Sequence, residues 1–283
     1  MIEIAEKNDI PRLREIWKAC FDDPDSYLDF YFSNGFPAFR TVVDRIDSEI
    51  TSMLTIVPAF YQKNGACFDA AYLYAVATAP AWRGKGIASR LISQTHDLLK
   101  NDGIKVATLF PAEDSLYNFY GKLGYQSSFS VCEIYLKREN CLPSSCMISD
   151  CEKDLFLEKS ADFLSRQPIA MKFAAKSLGY FYDEILATKG KVLKIDYGAL
   201  QGYAVCYKIK ETVVIKETSL NSKELKSCAV ALMDLFETDR LFARIPAENN
   251  MKTVRHGMLC ILDPGLENLR PDHSSGYMNL ILD

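Results

Sequence analysis

The run Arg-Gly-Lys-Gly-Ile-Ala at residues 83–88 is the part of the sequence best suited to chemistry. It follows an apolar stretch typical of a strand, residues 71–78, and precedes a stretch with the apolar spacing of a helix. Backbone N–H groups at the start of a helix lack partners within the helix, and the helix dipole adds positive charge there. Gly84 and Gly86 would let a ligand approach the backbone closely. The run therefore predicts an anion site, best suited to a phosphate or pyrophosphate.

Two common phosphate-binding motifs are excluded by spacing. A P-loop requires Gly-x-x-x-x-Gly-Lys-Ser/Thr and a dinucleotide-binding turn requires Gly-x-Gly-x-x-Gly, and residues 83–88 fit neither pattern. A second run, Phe-Tyr-Gly-Lys-Leu-Gly-Tyr at residues 119–125, belongs to the next predicted helix.

Together the two runs resemble signatures of the GNAT N-acetyltransferases. Residues 83–88 resemble the family's acetyl-CoA signature, Gln/Arg-x-x-Gly-x-Gly/Ala, and residues 119–125 resemble its Tyr-x-Lys-x-Gly-Phe/Tyr signature. The resemblance implies an N-acetyltransferase that uses acetyl-CoA as co-substrate, without a metal, and passes the acetyl group directly to a primary amine. The residues that it implies for binding acetyl-CoA are Val76, Ala77, Thr78, Arg83, Gly84, Lys85, Gly86, Ile87, Ala88 and Ser89.

Tyr120 aligns with the family's recurrent tyrosine, and the resemblance implies that it is the general acid for the leaving thiolate. A phenol suits this task because its pKa of about 10 keeps it protonated at neutral pH. The other interpretation is core packing, since Tyr120 shares an apolar stripe with Leu116 and Leu123. Where many relatives carry Asn before this helix, the chain has Glu113, so the contact of that Asn is not expected here.

The general base is not identified by any pattern. The candidates include three histidines without a paired signature, His96, His256 and His273, of which His96 is predicted on the polar side of a helix. The carboxylates Asp69, Glu113 and Asp114 are also candidates, although the pattern favours a solvated charge or a cap for each. As described below, the chain is predicted to hold two GNAT-like domains, one active and one degenerate. In this organisation it resembles the enhanced-intracellular-survival acetyltransferases, but without their sterol-carrier-like domain. In those relatives the terminal carboxylate acts as base, which makes Asp283, after the apolar run 277–282, a further catalytic candidate. A plain edge strand is the alternative for this run.

Composition is that of a globular protein of two ordinary domains. The 283 residues are 48% hydrophobic and 25% charged, with a formal net charge of −4. This charge argues against a nucleic-acid partner and suits an amine substrate. Without an apolar run of about 20 residues or a signal peptide, no membrane partner is expected. The nine scattered cysteines match no zinc spacing and predict a reducing, cytoplasmic location. A homo-oligomer remains open.

The predicted element order is that of a mixed α/β (α+β) protein with two tandem GNAT-like domains, 1–138 and 139–283. Each domain is expected to be a twisted, mostly antiparallel sheet flanked by helices. The first half predicts strands at 2–5, 40–46, 50–61, 68–78, 106–110 and 128–137, with helices around 10–21, 25–32, 87–102 and 116–123. The second half predicts helices around 155–164, 178–186 and 225–236, with strands at 191–197, 202–208, 212–218 and 241–245.

The second half also repeats one short run of the first. Pro-Ala-Glu follows a strand at residues 111–113 and again at 246–248. Aligning the two runs places residues 218–224, which lack glycine, on the glycine run, and places Arg255 on Tyr120. The second domain is therefore predicted to be degenerate and to bind no CoA. A contrasting function for the whole chain is a regulator that binds acyl-CoA without turnover.

Overall fold

The structure is a computed structural model that describes residues 2–142, 146–271, 276–280 and 282. Its helices are α1 (Ile10–Cys20), α2 (Asp25–Phe30), α3 (Phe36–Ala38), α4 (Ile87–Asn101), α5 (Asp114–Gly121), α6 (Lys153–Ser165), α7 (Ala175–Ala187) and α8 (Ser222–Phe236). Its strands are β1 (Ile2–Ile4), β2 (Arg40–Ile46), β3 (Glu49–Lys63), β4 (Ala66–Thr78), β5 (Val106–Leu109), β6 (Gln126–Ser127), β7 (Ser130–Lys137), β8 (Met147–Asp150), β9 (Ile169–Phe173), β10 (Lys191–Tyr197), β11 (Leu200–Ile209), β12 (Thr212–Thr218), β13 (Arg240–Pro246), β14 (Thr253–Arg255) and β15 (Met258–Ile261). None of the helices in the described ranges is long and apolar enough to cross a membrane.

The described residues form two compact units. The first contains residues 2–128 and 257–271, and the second contains residues 129–256 and the segment around 276–282, apart from the positions outside the described ranges. The sequence prediction also gave two domains, but its boundary between residues 138 and 139 does not coincide with this division.

The sheet of the first unit has the strand order β1-β2-β3-β4-β5-β15-β6. Neighbouring strands are antiparallel except for the parallel pair β4–β5. Successive side chains of a strand point to opposite faces of a sheet. Leu73 accordingly joins the apolar cluster of Leu91 in α4, and Tyr74 packs on the opposite face against Trp17 of α1. Helices α1 and α4 thus cover the two faces of β4.

The second unit repeats this arrangement strand for strand. Its order is β8-β10-β11-β12-β13-β7-β14, with the parallel pair β12–β13 in the position of β4–β5. One face is covered by α8, whose buried side chains lie on one helical stripe: Leu225, Cys228, Ala229, Leu232, Met233 and Phe236. The mixed α/β fold with two sheets flanked by helices is the predicted one.

The two units exchange one strand each. Residues 128–137 were expected to complete the first sheet, but β7 pairs with β13 and β14 in the second. Its place in the first sheet is taken by β15, between β5 and β6. The expectation about β7 is wrong because the exchange depends on pairing between distant strands. Cys132 and Ile134 of β7 lie in the apolar cluster under α8.

Candidate functional site

The parallel strands β4 and β5 part near the middle of the first sheet. Their last paired residues are Tyr72 and Thr108, and β4 continues alone on this side to Thr78. Just past the pairing, Ala75 adopts a left-handed conformation with φ of 50°. The register between β3 and β4 shifts at the same level, which identifies a β-bulge. The bulge bends β4 away from β5, so an edge of backbone groups opens at the end of β4.

Within the predicted arm-binding stretch, Val76 and Thr78 are half-buried and Ala77 is buried. The Ala77 carbonyl accepts a hydrogen bond from the Ser52 hydroxyl at 2.7 Å. The Thr78 carbonyl accepts two, from Arg83 Nε at 3.1 Å and from Cys20 Sγ at 3.3 Å. Two donors fill both lone pairs of a carbonyl oxygen. The Thr78 carbonyl is therefore engaged by the chain itself.

The glycine run forms an open turn at the start of α4. Gly84 and Gly86 have φ of 74° and 73°, a region that favours glycine. A Cβ added to either residue would meet no heavy atom within 4 Å, so space for a ligand lies beside the backbone. The turn therefore needs glycine for its conformation and leaves its surface free for a close approach.

The first turn of α4 presents its amides at this open turn. Arg90 N–H is the first in the helical ladder, and it donates to the Gly86 carbonyl at 3.0 Å. The N–H groups of Ile87, Ala88 and Ser89 come before it and have no carbonyl within the helix. Gly86 caps the helix without a side-chain hydrogen bond. Three convergent amides and the helix dipole make this a suitable cradle for a phosphate group.

The two basic side chains of the turn have different environments. The Arg83 guanidinium bonds to the chain itself. Besides the Thr78 carbonyl, it donates to the Ala19 carbonyl at 3.3 Å and to Cys20 Sγ at 3.1 Å. Lys85 is exposed, with Nζ 4.7 Å from the centre of the Trp82 ring. Both side chains are exposed, but Arg83 ties the turn to the end of α1, whereas Lys85 lies against the Trp82 ring.

An ion pair between a buried carboxylate and an arginine whose side chain is 45% exposed, which the sequence reasoning missed, holds α4 in place. Asp44 of β2 is fully buried, and one of its carboxylate oxygens accepts from Arg90 Nε at 2.8 Å. The alternating pattern of β2 puts Asp44 among apolar positions, and that irregularity was the available signal. Because the partner belongs to the first turns of α4, this pair fixes the helix whose amides form the cradle.

Tyr120 lies near the end of α5, with 7% of its surface exposed. It shares the apolar cluster that includes Leu73 and Val76 of β4. Burial raises its pKa to about 12. Its hydroxyl has no hydrogen-bond partner among the described residues. The phenol is therefore protonated at neutral pH and has a proton to donate.

The candidate bases are dispersed. His96 was expected on a polar helix face, but it is buried, bonded to the Tyr125 hydroxyl at 2.8 Å, with its pKa lowered to about 4 by burial. His256 is buried in the second unit. The carboxylates Asp69, Glu113 and Asp114 are exposed, and His273 and Asp283 lie outside the described residues. Within those residues, no group of three His, Cys, Asp or Glu side chains is placed to hold a metal ion.

The corresponding helix start in the second unit is closed by its own side chains. The connection from β12 to α8 is only residues 219–221, against residues 79–86 in the first unit. Asn221 accepts from the amides of Lys223 and Glu224, each at 3.0 Å. Glu248 accepts from the Ser222 amide at 2.7 Å and from its hydroxyl at 2.6 Å. Carboxylate and amide oxygens occupy the donors that a phosphate would need.

Comparisons with known proteins agree with this geometry. Residues 2–127 match the family model of the acetyltransferase (GNAT) domain. No curated protein matches the chain. A GCN5-related N-acetyltransferase from Anabaena variabilis has a TM-score of 0.71 and 18% identity, over 93% of this chain and 73% of its own.

Two further structures are also similar to this chain over both units. Eis1 from Mycobacterium abscessus has a TM-score of 0.66 and 11% identity, over 93% of this chain and 74% of its own. The tandem GNAT protein from the clavulanic acid biosynthesis pathway has a TM-score of 0.56 and 12% identity, over 93% of this chain and 99% of its own. Residues 2–127 therefore match the GNAT acetyltransferase domain in sequence, and the chain as a whole has the fold of tandem GNAT proteins.

Proposed function

We propose that the protein is an acetyl-CoA-dependent N-acetyltransferase whose first unit carries the active site. The observation that carries this proposal is the turn of Gly84 and Gly86, with open space beside it and three helix-start amides facing the same place. These residues fit a pyrophosphate. When bound, acetyl-CoA supplies an activated acetyl group for a primary amine.

The remaining parts of the first unit have separate tasks in this proposal. The edge of β4 past Tyr72 offers backbone groups to an extended ligand arm, as a sheet edge does to an added strand. Among the described residues, no side chain donates a hydrogen bond to the Val76 carbonyl, unlike those of Ala77 and Thr78. Lys85 supplies an exposed positive charge at the turn. Arg83 holds the turn in position, and the pair Asp44–Arg90 holds its helix.

Tyr120 is proposed to hold the proton that the leaving thiolate receives. Its phenol is protonated at neutral pH, and an apolar cluster surrounds its ring. The amine attacks directly in this proposal, since none of the cysteines or serines stands in a nucleophile motif such as Gly-x-Ser-x-Gly.

The test combines calorimetry with a turnover assay. Titration with acetyl-CoA should show saturable binding, and release of free CoA thiol should rise with one class of amine among polyamines, aminoglycosides, amino acids and peptides. Binding with no release across the panel would instead identify a regulator that binds acyl-CoA. Absence of acetyl-CoA binding would refute both functions.

A further inference from the structure

In the second unit, the parallel strands part as they do in the first. The last pair of β12 and β13 is Ile215 with Ala243, as Tyr72 with Thr108 is the last pair of β4 and β5. The register between β11 and β12 also shifts beside this point. The second unit has therefore kept the opening between the two strands, although its helix start is closed.

A buried segment of the chain, residues 276–280, lies in the second unit beside this opening. Each of its five residues is buried. Its backbone is held at two places: Ser130 N–H donates to the Gly276 carbonyl at 2.9 Å, and Tyr277 exchanges two hydrogen bonds with β9. In that exchange Tyr277 N–H donates to the Ile169 carbonyl at 2.9 Å, and Met171 N–H donates to the Tyr277 carbonyl at 3.0 Å. The segment is therefore extended and runs parallel to β9.

Asn279 and Leu280 bridge the parted strands. Asn279 Nδ2 donates to the carbonyl of Arg244, the residue of β13 just after its last pair with β12. Leu280 N–H donates to the carboxyl group of Glu217, which lies on β12 past the same pair. One residue of the segment thus bonds to each strand, at the level where the strands no longer bond to each other.

Glu217 shows why this contact matters. Only 1% of its surface is exposed, and its Oε1 also accepts from the Tyr203 hydroxyl at 2.7 Å. A buried carboxyl group is stable only where donors replace water. One of these donors is the Leu280 amide. Between Glu217, Asn279 and α6 there remains a cavity of only about 10 Å³, room for about one water molecule.

We propose that residues 276–280 are an internal ligand of the second unit, filling the opening between β12 and β13 in place of an external acyl arm. The comparison with an acyl arm rests on the function proposed for the first unit, whereas the occupancy of the opening does not. The second unit is then a copy whose opening is filled by the chain itself, and this segment holds the parted ends of β12 and β13 in place.

Hydrogen exchange on the full chain tests the proposal amide by amide. The amides of Met171, Tyr277 and Leu280 should exchange far more slowly than those of an unstructured peptide, because each donates to a buried acceptor. Asn279→Ala removes the bond to the Arg244 carbonyl, and we expect the Leu280 amide to exchange roughly tenfold faster. Asn140→Ala, at an exposed position of the same unit, is the matched control and should leave that rate unchanged.

Two outcomes would overturn the proposal. One is exchange of the Tyr277 and Leu280 amides at free-peptide rates in the unaltered protein. The other is a calorimetric titration that gives two acetyl-CoA molecules per chain, since an occupied second unit has no room for an arm. Protection of the segment with no acetyl-CoA binding at all would remove the proposed function and leave this inference standing. Binding of one acetyl-CoA with an unprotected segment would do the reverse.

Discussion

At the scale of single residues, Tyr120 has a packing role in the structure and a chemical role in the proposed function. Its ring lies 5.1 Å from Phe119 and 5.9 Å from Tyr125, so the side chain is part of the core. Burial raises its pKa to about 12, which keeps the proton on the phenol through the neutral range. Core packing and the proposed proton donation therefore involve the same side chain. A variant that tests the chemistry must keep the ring and remove the hydroxyl.

Tyr120→Phe makes this separation, because it keeps the ring and removes the proton. If the phenol is the general acid, turnover should fall by about 10²–10⁴-fold with little change in acetyl-CoA affinity or stability. Steady-state kinetics and thermal unfolding measure these effects. Tyr117→Phe, a buried tyrosine on the same helix, is the control and should retain turnover. A loss below about threefold for Tyr120→Phe, with folding intact, would move proton donation to water or to Glu113.

The buried Glu217 predicts a pH-dependent stability of the second unit. Burial raises its pKa from 4.5 to about 7. Between these values the folded state binds the proton and the unfolded state releases it, so this group stabilises the fold below pH 4.5. The contribution is lost as the pH rises to about 7, at about 1.4 kcal/mol for each pKa unit. Glu217→Gln should remove this slope when unfolding free energies are compared from pH 4.5 to 8. Parallel curves for the two proteins would contradict it.

Residue identity alone predicted the glycines well and the charged side chains poorly. Gly84 and Gly86 have the left-handed backbone that their type suggested. Arg83 has the expected charge, but its guanidinium bonds to carbonyls of β4 and α1 that lie far apart in sequence. His96 sits on the helix stripe facing Tyr125, a contact that depends on tertiary packing. Local conformation can be predicted from sequence, whereas the partner of a long side chain depends on the fold.

At the scale of elements, the two connections that lead into α4 and α8 explain why one unit has a cradle. The first ends in a left-handed glycine without a side-chain cap. The second ends in Asn221, whose side chain and that of Glu224 form a reciprocal capping box. A capping box satisfies the helix-start amides internally. A helix whose amides are already satisfied gains little from binding an anion.

Gly86→Glu tests the cradle of the first unit. A carboxylate there would face the pyrophosphate, and like charges placed together cost several kcal/mol, so acetyl-CoA affinity should fall by at least about 100-fold. Gly65→Glu is a matched control, because Gly65 has φ of 83° and equally open space but lies in the β3–β4 turn. Calorimetric titration of both variants measures the effect. Equal affinity for the two variants would show that the cradle is assigned to the wrong turn.

The elements themselves were largely predictable. Strands β2, β10 and β12 have the bounds that their apolar patterns gave, and Asn64-Gly65, a dipeptide typical of hairpin turns, joins β3 to β4 with φ of 51° and 83°. The short strands β8, β9, β14 and β15 were missed, because three to five residues are too few to establish a period. The missed β15 proved to be the strand that completes the first sheet.

At the scale of the whole molecule, the exchange of β7 and β15 could not be derived from sequence. The chain places β7 directly after β6, which favours pairing within the first sheet, and the four residues of β15 are too few to predict a partner. The sheet that each joins is decided by partners more than 100 residues away, such as Cys132 opposite Ile245. Local pattern therefore predicted the fold of each half but not the strand that closes it.

The exchange predicts that residues 1–138 do not fold as a separate domain. Without β15, the four buried residues of β5 lose the neighbouring strand on one side, and the Thr108 hydroxyl loses the Met258 carbonyl that it donates to at 2.8 Å. We expect this fragment to unfold or aggregate and to bind no acetyl-CoA. Circular dichroism with thermal melting and calorimetric titration would measure both properties.

Joining residues 1–128 to residues 257–271 through an Asn-Gly insert should restore the domain. Ser127 pairs with Met258 in the antiparallel ladder, and Ser128 N–H donates to the Gly257 carbonyl at 3.2 Å, so the two ends are already neighbours. An Asn-Gly insert gives a two-residue turn suited to antiparallel strands. The added stretch is also anchored, since the Tyr61 hydroxyl donates to the Leu269 carbonyl at 2.6 Å. We expect this chain to melt cooperatively and to bind one acetyl-CoA. If residues 1–138 melt and bind equally well, then β15 is dispensable and the first sheet closes in another way.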